Sequence, residues 1–504
     1  MSRVVIVGHG PAGHRVAELL RARDPRMRIT VFGAEPEPAY NRVLLPSVIA
    51  GKLTAEATRL TDHGDDRIVV RTGVVVDDVD RVRRVVLTSD GEAHPYDDLV
   101  LATGARCFVP PLPGLVDEDR NPAGNVVALR TLADCRRLEG YLPAARRVVV
   151  LGGGLLGLEA ARALTERGHD VDVVHMGPHA MERQLDAPAG RTLAAVLDRL
   201  GIRVHAGRTA MSYLDGGLAL DDGSTLPADL VVVSAGVVPD TDLARRAGLQ
   251  VGRGVVVDDR MRTSDPNIHA IGDCAEHAGL VPGLIAPAWD QAETLAESLT
   301  GGHRPYTATR TLARLKARGV DLAVIGDGNH ESDDAEVVTL ADPARGRYAR
   351  LVVLDERVVG AILLGFPQSV GTVTQLFDAD APLPVDRLAL LVGRTAAEVV
   401  DGPEHLPDQA VVCRCNNVTK ESLTAAWRKG AHNARDLADV TRATTGCGGC
   451  AGVVEGFCRW LRDAQPAREH PLLSPTLVQQ GSDRVRNPGD LRQPVPDVED
   501  RAGR

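Results

Sequence analysis

The sequence predicts an α/β protein built from two doubly wound parallel-sheet units, followed by an α+β unit and a small helical unit. Three observations predict it. Short apolar strands alternate with helical segments through the N-terminal three-fifths of the chain, the pattern of parallel sheets covered on both faces. A glycine-rich turn between an apolar strand and a helix occurs twice, at Gly8–Gly13 and Gly152–Gly157. Five of the eight cysteines fall between Cys413 and Cys458, whereas the first 106 residues contain none. Cysteines clustered in this way point to metal or redox chemistry before they point to a disulfide framework.

Length and composition bound the rest. The 504 residues suffice for about three to four domains. With 44 % hydrophobic and 25 % charged residues the chain has an ordinary core-forming composition, which excludes wholesale disorder. Aromatics are only 3 %, so the core has to be built from Val, Leu, Ala and Ile. No uncharged apolar run reaches about 18 residues, which excludes a transmembrane helix and a membrane as partner. The first strand begins at Val4 and leaves no room for a signal peptide, so a cytoplasmic protein is expected. A net charge of −10 argues against nucleic acid as a partner, because that needs a basic face.

The chain divides as follows. Residues 1–112 form the first part of unit one, and residues 113–245 repeat its pattern around the second glycine turn. Residues 246–303 return to unit one. Residues 304–400 form the mixed unit, with Tyr348–Leu354 and Val358–Leu364 as a hairpin around Asp355–Arg357. After a linker comes the cysteine unit, 408–462. Residues 463–504 contain six prolines and no periodicity, and are expected to be a flexible, nearly neutral tail.

The first turn, Gly8-His9-Gly10-Pro11-Ala12-Gly13, sits between the strand Val4–Val7 and a helical run from His14, the context a dinucleotide-binding turn requires. Gly8 permits the tight turn, Gly10 lets backbone approach a pyrophosphate, and Gly13 lets the helix pack closely on the sheet. The helix N-terminus then faces the anion. Glu35, 22 residues beyond Gly13, follows the next strand and can accept hydrogen bonds from ribose hydroxyls. A tight turn without ligand is the bland alternative. Two further segments end in Ala102-Thr103-Gly104 and Gly272-Asp273. With these the sequence resembles the two-dinucleotide flavoprotein disulfide-reductase superfamily. The resemblance implies FAD in unit one, Asp273 on the ribityl chain, and Thr103-Gly104 at the crossover between domains. Asp273 is equally suited to capping a helix, and the two roles are compatible. Ala288 and Trp289 belong to the opening of a helix whose dipole can stabilise a reduced flavin.

The second turn, Gly152-Gly153-Gly154-Leu155-Leu156-Gly157, lies between Ala-Thr-Gly and Gly-Asp. Unit two is thereby an insertion in unit one, and the resemblance implies that it takes NAD(P)H. Ser234-Ala-Gly236 echoes Ala-Thr-Gly at the exit. The resemblance implies that Glu159 lies near the nicotinamide; the alternative is an acid favoured by the helix dipole. The strand Val171–Val174 ends in His175, where an NAD site shows an acid and an NADP site shows arginines. With only Arg183 nearby, the choice of NADH or NADPH stays open. The superfamily's redox cysteines are missing: Tyr40–Ser47 stands in their place, and without a thiolate neither disulfide nor peroxide chemistry has its nucleophile. Arg42 and Lys52 are either flavin or phosphate contacts or solvated loop charges.

Cys413-x-Cys415, a 31-residue gap and Cys447-x-x-Cys450 offer four thiolates from two glycine-flanked turns. That set suits a [2Fe–2S] cluster, and a structural zinc site is the alternative. Helical apolar spacing between Glu421 and Val440 predicts a helix pair joining the two turns. The segment resembles the bacterioferritin-associated-ferredoxin-like [2Fe–2S] domain, which implies those four cysteines as ligands. Cys107, Cys135, Cys274 and Cys458 read as packed small residues.

The order of units, together with Ala39–Leu45 and Met181–Asp186, resembles one group over residues 3–462. It comprises the N-terminal part of the NAD(P)H nitrite reductase large subunit and the electron-transfer subunits of assimilatory nitrate reductase. The resemblance implies an electron-transfer flavoprotein, passing electrons from NAD(P)H through FAD and the cluster to a separate reductase subunit. A molybdenum nitrate reductase is the first expectation and a sirohaem nitrite reductase the second. A redox or iron sensor with a metal-bound cysteine module is the rival. Only the proline-rich tail stands where nitrite reductases continue into a sirohaem domain, so this chain is not expected to reduce nitrite alone. No catalytic side chain is expected beyond the electron-carrying thiolates.

Overall fold

Val4, Val5, Ile6 and Val7 are all buried, and a strand apolar on both faces belongs inside a covered parallel sheet. In the computed structural model, which describes residues 2–61, 63, 67–118, 121–214, 216–394, 403, 406–446 and 448–464, that is where it lies. The strand order is Ile268–Ala270, Asp98–Leu101, Arg3–Val7, Arg28–Gly33, Ile68–Thr72, and every pairing is parallel. The pairing of Ile268–Ala270 with Asp98–Leu101 returns the chain to its first sheet after the intervening unit.

The intervening unit repeats the device. Its parallel sheet runs Ile202–Ala206, Asp170–His175, Arg147–Leu151, Leu230–Val233, Val126–Ala128. Two short strands, Ala105–Cys107 and Val237–Pro239, pair antiparallel as the chain leaves and re-enters the first unit. The Thr103 hydroxyl donates to the Asp240 carbonyl at 2.6 Å beside them.

An antiparallel five-stranded sheet follows, in the order Leu312–Ala317, Val320–Gly326, Arg357–Leu364, Arg347–Leu354, Glu336–Asp342, with the helix Pro367–Ala379 packed on it. The expected hairpin is present. Its loop is only Asp355 and Glu356, both at positive φ (48° and 61°), and Arg357 already pairs with Leu354. A two-residue loop with both φ positive matches the twist of the flanking strands.

One hydrophobic core joins three of these parts. Leu45 and Ile49 from unit one, Leu158 and Leu164 from unit two, and Leu322 and Ile362 from the antiparallel sheet all belong to it. A shared apolar interior fixes the units against each other, because separating them would expose that surface to water. The cysteine unit has a separate small core around Leu423, Trp427, Leu437, Val454 and Phe457. It consists of the hairpin strands Val411–Cys413 and Val418–Thr419 and the helices Lys420–Arg428, Ala434–Thr441 and Ala451–Ala464. The first two helices are the expected pair. Among the described residues no helix is long and apolar enough to cross a membrane. Residues beyond Ala464, where the tail was expected, lie outside the described ones.

Asp172 locks the register of the second sheet. It accepts from Arg203 at 2.9 and 2.7 Å and from His205 at 2.7 Å, across the adjacent strand. Burial alone would raise its carboxyl pKa, but the bonds from Arg203 and His205 outweigh that and hold it below the usual carboxylate range. A carboxyl depressed on folding contributes stability above its unfolded pKa and loses it as pH falls through the folded value. Asp172→Asn is therefore expected to cost about 1 kcal/mol at neutral pH. In urea melts, the gap between variant and parent closes progressively below about pH 4.

Candidate functional site

A single cavity of about 1080 Å³ collects most of the residues singled out in the sequence. Gly8, Gly10, Pro11, Ala12, Glu35, Arg42, Thr103, Gly104, Asp273 and Ala288 line it from unit one. Leu155, Leu156 and Glu159 line it from unit two, and Arg414 and Cys415 from the cysteine unit.

The glycines of the two turns divide by what surrounds them. A Cβ on Gly8 would meet the Ala102 carbonyl oxygen at 2.0 Å, and one on Gly152 the Ser234 oxygen at 2.1 Å, both at strongly positive φ. Gly13 and Gly157 are closed off in the same way by Gly8 and Gly152. These four are demanded by the fold. Gly10 and Gly154 have nothing within 4 Å and no positive φ. Nothing in the protein requires glycine there, whereas a pyrophosphate brought against the helix N-terminus does. The residues present thus fit a dinucleotide at each turn.

Charged partners complete the first half. Tyr40 donates to Glu35 Oε2 at 2.6 Å, and Arg42 pairs with the other Glu35 oxygen while donating to Tyr40 at 2.6 Å. Burial pushes the Tyr40 hydroxyl far above its usual range, so it stays a donor. Asp273 is paired with Arg130, which also lines the cavity. Glu159 is buried, and its Oε1 accepts from the Lys316 ammonium and backbone N–H, both at 2.9 Å. The pair sets a carboxylate and an ammonium where the second turn meets the antiparallel sheet, ready to align a polar ring substituent.

Several expected residues lie elsewhere. Lys52 does not line the cavity; its ammonium sits 2.6 Å from Glu166. Trp289 is buried, and it faces a separate crevice of about 290 Å³ shared with Asn41 and Asn416. Arg183 is exposed, and Gly236 (φ 104°) turns the chain as it leaves unit two. At His175 the backbone N–H of Gly153 donates to Nδ1 at 3.2 Å, which leaves the proton on Nε2, 2.6 Å from Glu182 Oε2. A carboxylate from seven residues further on thus stands beside the strand-end histidine.

In the cysteine unit Cys413 and Cys450 are buried and Cys415 half-buried, while Cys447 lies outside the described residues. The two turns touch: a Cβ on Gly446 would stand 2.7 Å from Cys415 Cβ. Asn416 joins them, its Nδ2 donating to the Arg442 carbonyl at 2.6 Å and to Thr445 Oγ1 at 3.1 Å. Thiolates from two abutting turns fit a small iron–sulfur cluster. The other cysteines behave as packing residues: burial raises the thiol pKa of Cys107, Cys274 and Cys458 and pushes Cys135 up to about 12.

The residues missed by sequence are the partners. Asn41 and Glu182 lie inside Ala39–Leu45 and Met181–Asp186, the stretches that carried the resemblance, but no role was read for either; Arg130 and Lys316 sit in no motif. Lys316 still carried a signal, as one of only four lysines and placed inside the apolar strand Leu312–Ala317.

Two dinucleotide turns facing one cavity, with a cysteine unit at its edge, define a two-dinucleotide flavoprotein oxidoreductase. The chain belongs to the pyridine nucleotide-disulphide oxidoreductase family, whose sequence profile matches residues 2–292. A BFD-like [2Fe-2S] binding domain matches 411–456, and a rubredoxin NAD+ reductase C-terminal domain matches 312–375. Its cofactors are accordingly FAD, NAD(P)H and a [2Fe–2S] cluster. It is 34 % identical to the nitrite reductase [NAD(P)H] of Bacillus subtilis, over 90 % of this chain and 57 % of that one. It is 33 % identical to the assimilatory nitrate reductase electron transfer subunit of the same organism, over 92 % of this chain and 60 % of that one. The chain therefore spans little more than half the length of these relatives. The covalent putidaredoxin reductase–putidaredoxin complex shares its fold with TM-score 0.68 and 29 % identity, covering 77 % of this chain and 95 % of that one.

The division of the glycines gives a test. Gly154→Val is expected to leave the melting temperature within a few degrees and to weaken NAD(P)H binding about tenfold or more. Gly152→Ala is expected to destabilise the fold by roughly 2 kcal/mol or more, through clash and strain. Calorimetry and ligand titration on both variants decide it.

Proposed function

We propose that this chain takes electrons from NADH and passes them through its flavin and its cluster to a separate reductase subunit, with nitrate reduction the first assignment and nitrite the second. The observation that carries the reading is the position of Cys415, on the wall of the cavity that also holds Gly10 and Leu155. Asn41, beside the first cavity wall, donates to the Cys415 carbonyl and to Asn416 Oδ1, both at 2.8 Å. Arg414 is bound to Asp378 on the antiparallel-sheet unit, holding the cysteine unit from a second side. Bound at these turns, flavin and cluster would supply the conversion of a hydride's two electrons into single-electron transfer. The chain's own residues orient the two dinucleotides and fix the cluster turn against the cavity they share. The nitrate and nitrite assignments rest on the names of the two Bacillus relatives, and cytoplasmic location is part of the proposal.

The coenzyme assignment rests on Glu182. Its carboxylate accepts the His175 proton and lies at the strand end where an adenosine ribose is bound in such folds. A carboxylate there accepts from ribose hydroxyls and repels a 2′-phosphate. Glu182→Gln is expected to raise the NADPH-to-NADH ratio of kcat/KM by about tenfold. An unchanged ratio would place the carboxylate away from the ribose.

Loss of a cluster ligand separates the two halves of the path. Cys450→Ser is expected to lose iron and partner reduction, yet keep FAD and NADH-dependent reduction of a small dye at near the parent rate. Parent-rate reduction of the partner by this variant would take the cluster off the path and favour a sensing role.

A further inference from the structure

Three histidines converge beside the first glycine turn. His9 stands between Gly8 and Gly10, His14 lies one turn into the following helix, and His63 comes from the segment after Leu60. One ring nitrogen of each lies within 4.8 Å of one from both others. The His14 and His63 rings stack with centroids 4.2 Å apart, and the His9 ring is 5.8 Å from the His14 ring and 6.1 Å from the His63 ring.

The bonding around them is incomplete. His14 is 5 % exposed, and its Nδ1 is buried with no hydrogen-bond partner; both ring nitrogens of His9 are in the same condition. A buried polar nitrogen left unpaired costs about 1–3 kcal/mol. Ordinary core packing has no reason to leave both His9 nitrogens and His14 Nδ1 unpaired beside each other, with a third imidazole against them. Glu18 Oε1 lies 3.5 Å from His14 Nε2. A carboxylate behind a ligating imidazole is the usual outer partner of such a site, since it fixes the ring and raises its basicity.

We propose that His9, His14 and His63 bind one divalent transition-metal ion, with zinc the best fit to three imidazoles. Bond lengths of about 2.0–2.1 Å set the ligand nitrogens of a tetrahedral ion about 3.4 Å apart, so small ring rotations close the site. The fourth position remains for water. Because His9 belongs to the turn at the cofactor cavity, the ion would clip the segment carrying His63 to the backbone that holds the pyrophosphate. Nothing in the family match assigns metal to these residues, and the site shares no ligand with the cysteine unit.

The test is equilibrium dialysis of the FAD- and iron-replete protein against micromolar zinc, followed by elemental analysis. The parent is expected to hold one zinc per chain in addition to its iron. His63→Ala and His14→Gln are each expected to bind zinc about tenfold more weakly or worse, with iron and FAD contents unchanged. X-ray absorption at the zinc edge of the parent is expected to show imidazole nitrogen and no sulfur, a readout independent of how any variant folds. No zinc on the parent, equal zinc on the variants, or sulfur in the zinc shell would each overturn the proposal.

Discussion

The two hydrogen bonds from Asn41 to the cysteine unit are the constraint on which the account of this molecule depends. A side-chain amide buried at a domain seam, donating to the Cys415 carbonyl and the Asn416 side chain, fixes the turn that carries a cluster thiolate. Asn416 in turn ties that turn to the second one, through Arg442 and Thr445. Both cysteine turns are thereby referenced to the wall of the cofactor cavity. Without this chain of contacts the cysteine unit, with its own separate core, would be held to the rest of the chain chiefly by the pair of Arg414 with Asp378 on the antiparallel-sheet unit.

What holds the other side of the seam is burial. The short helix Leu45–Ile49, beginning four residues after Asn41, inserts Leu45 and Ile49 into the core shared by unit two and the antiparallel sheet. Segments near Tyr40 therefore serve three ends at once. Tyr40 and Arg42 dress Glu35 at the cavity, Asn41 docks the cysteine unit, and the following helix locks the domains together. In disulfide reductases of this superfamily the corresponding stretch bears redox cysteines. Here it bears no thiol, and its chemistry has been replaced by docking.

Much of this was legible in the sequence, for reasons that are local. A glycine turn between strand and helix needs only neighbouring residues to be recognised, so both turns could be read directly, whereas FAD and NAD(P)H came from the family resemblance. The order of Ala-Thr-Gly, second turn and Gly-Asp gave the insertion. Arg130 and Lys316 were not legible, because they come from distant segments. Arg130 reaches Asp273 across 143 positions and Lys316 reaches Glu159 across 157, and no spacing rule encodes such a pair. Lys52 and Trp289 show the converse. Both lie near motif residues in the chain, but Lys52 turns to Glu166 and Trp289 to the seam. The pairing of His175 with Glu182 was also missed: the strand end shows His175, and the turn that follows brings the Glu182 carboxylate to its ring.

The central claim is that electrons pass from flavin to cluster within one chain. Anaerobic rapid mixing of the replete protein with one equivalent of NADH, read by the electron paramagnetic resonance of the reduced [2Fe–2S] cluster, tests it most directly. The account predicts that the cluster signal rises at a rate independent of protein concentration, following flavin reduction. A cluster that stays oxidised, or a rate that scales with protein concentration, would contradict it.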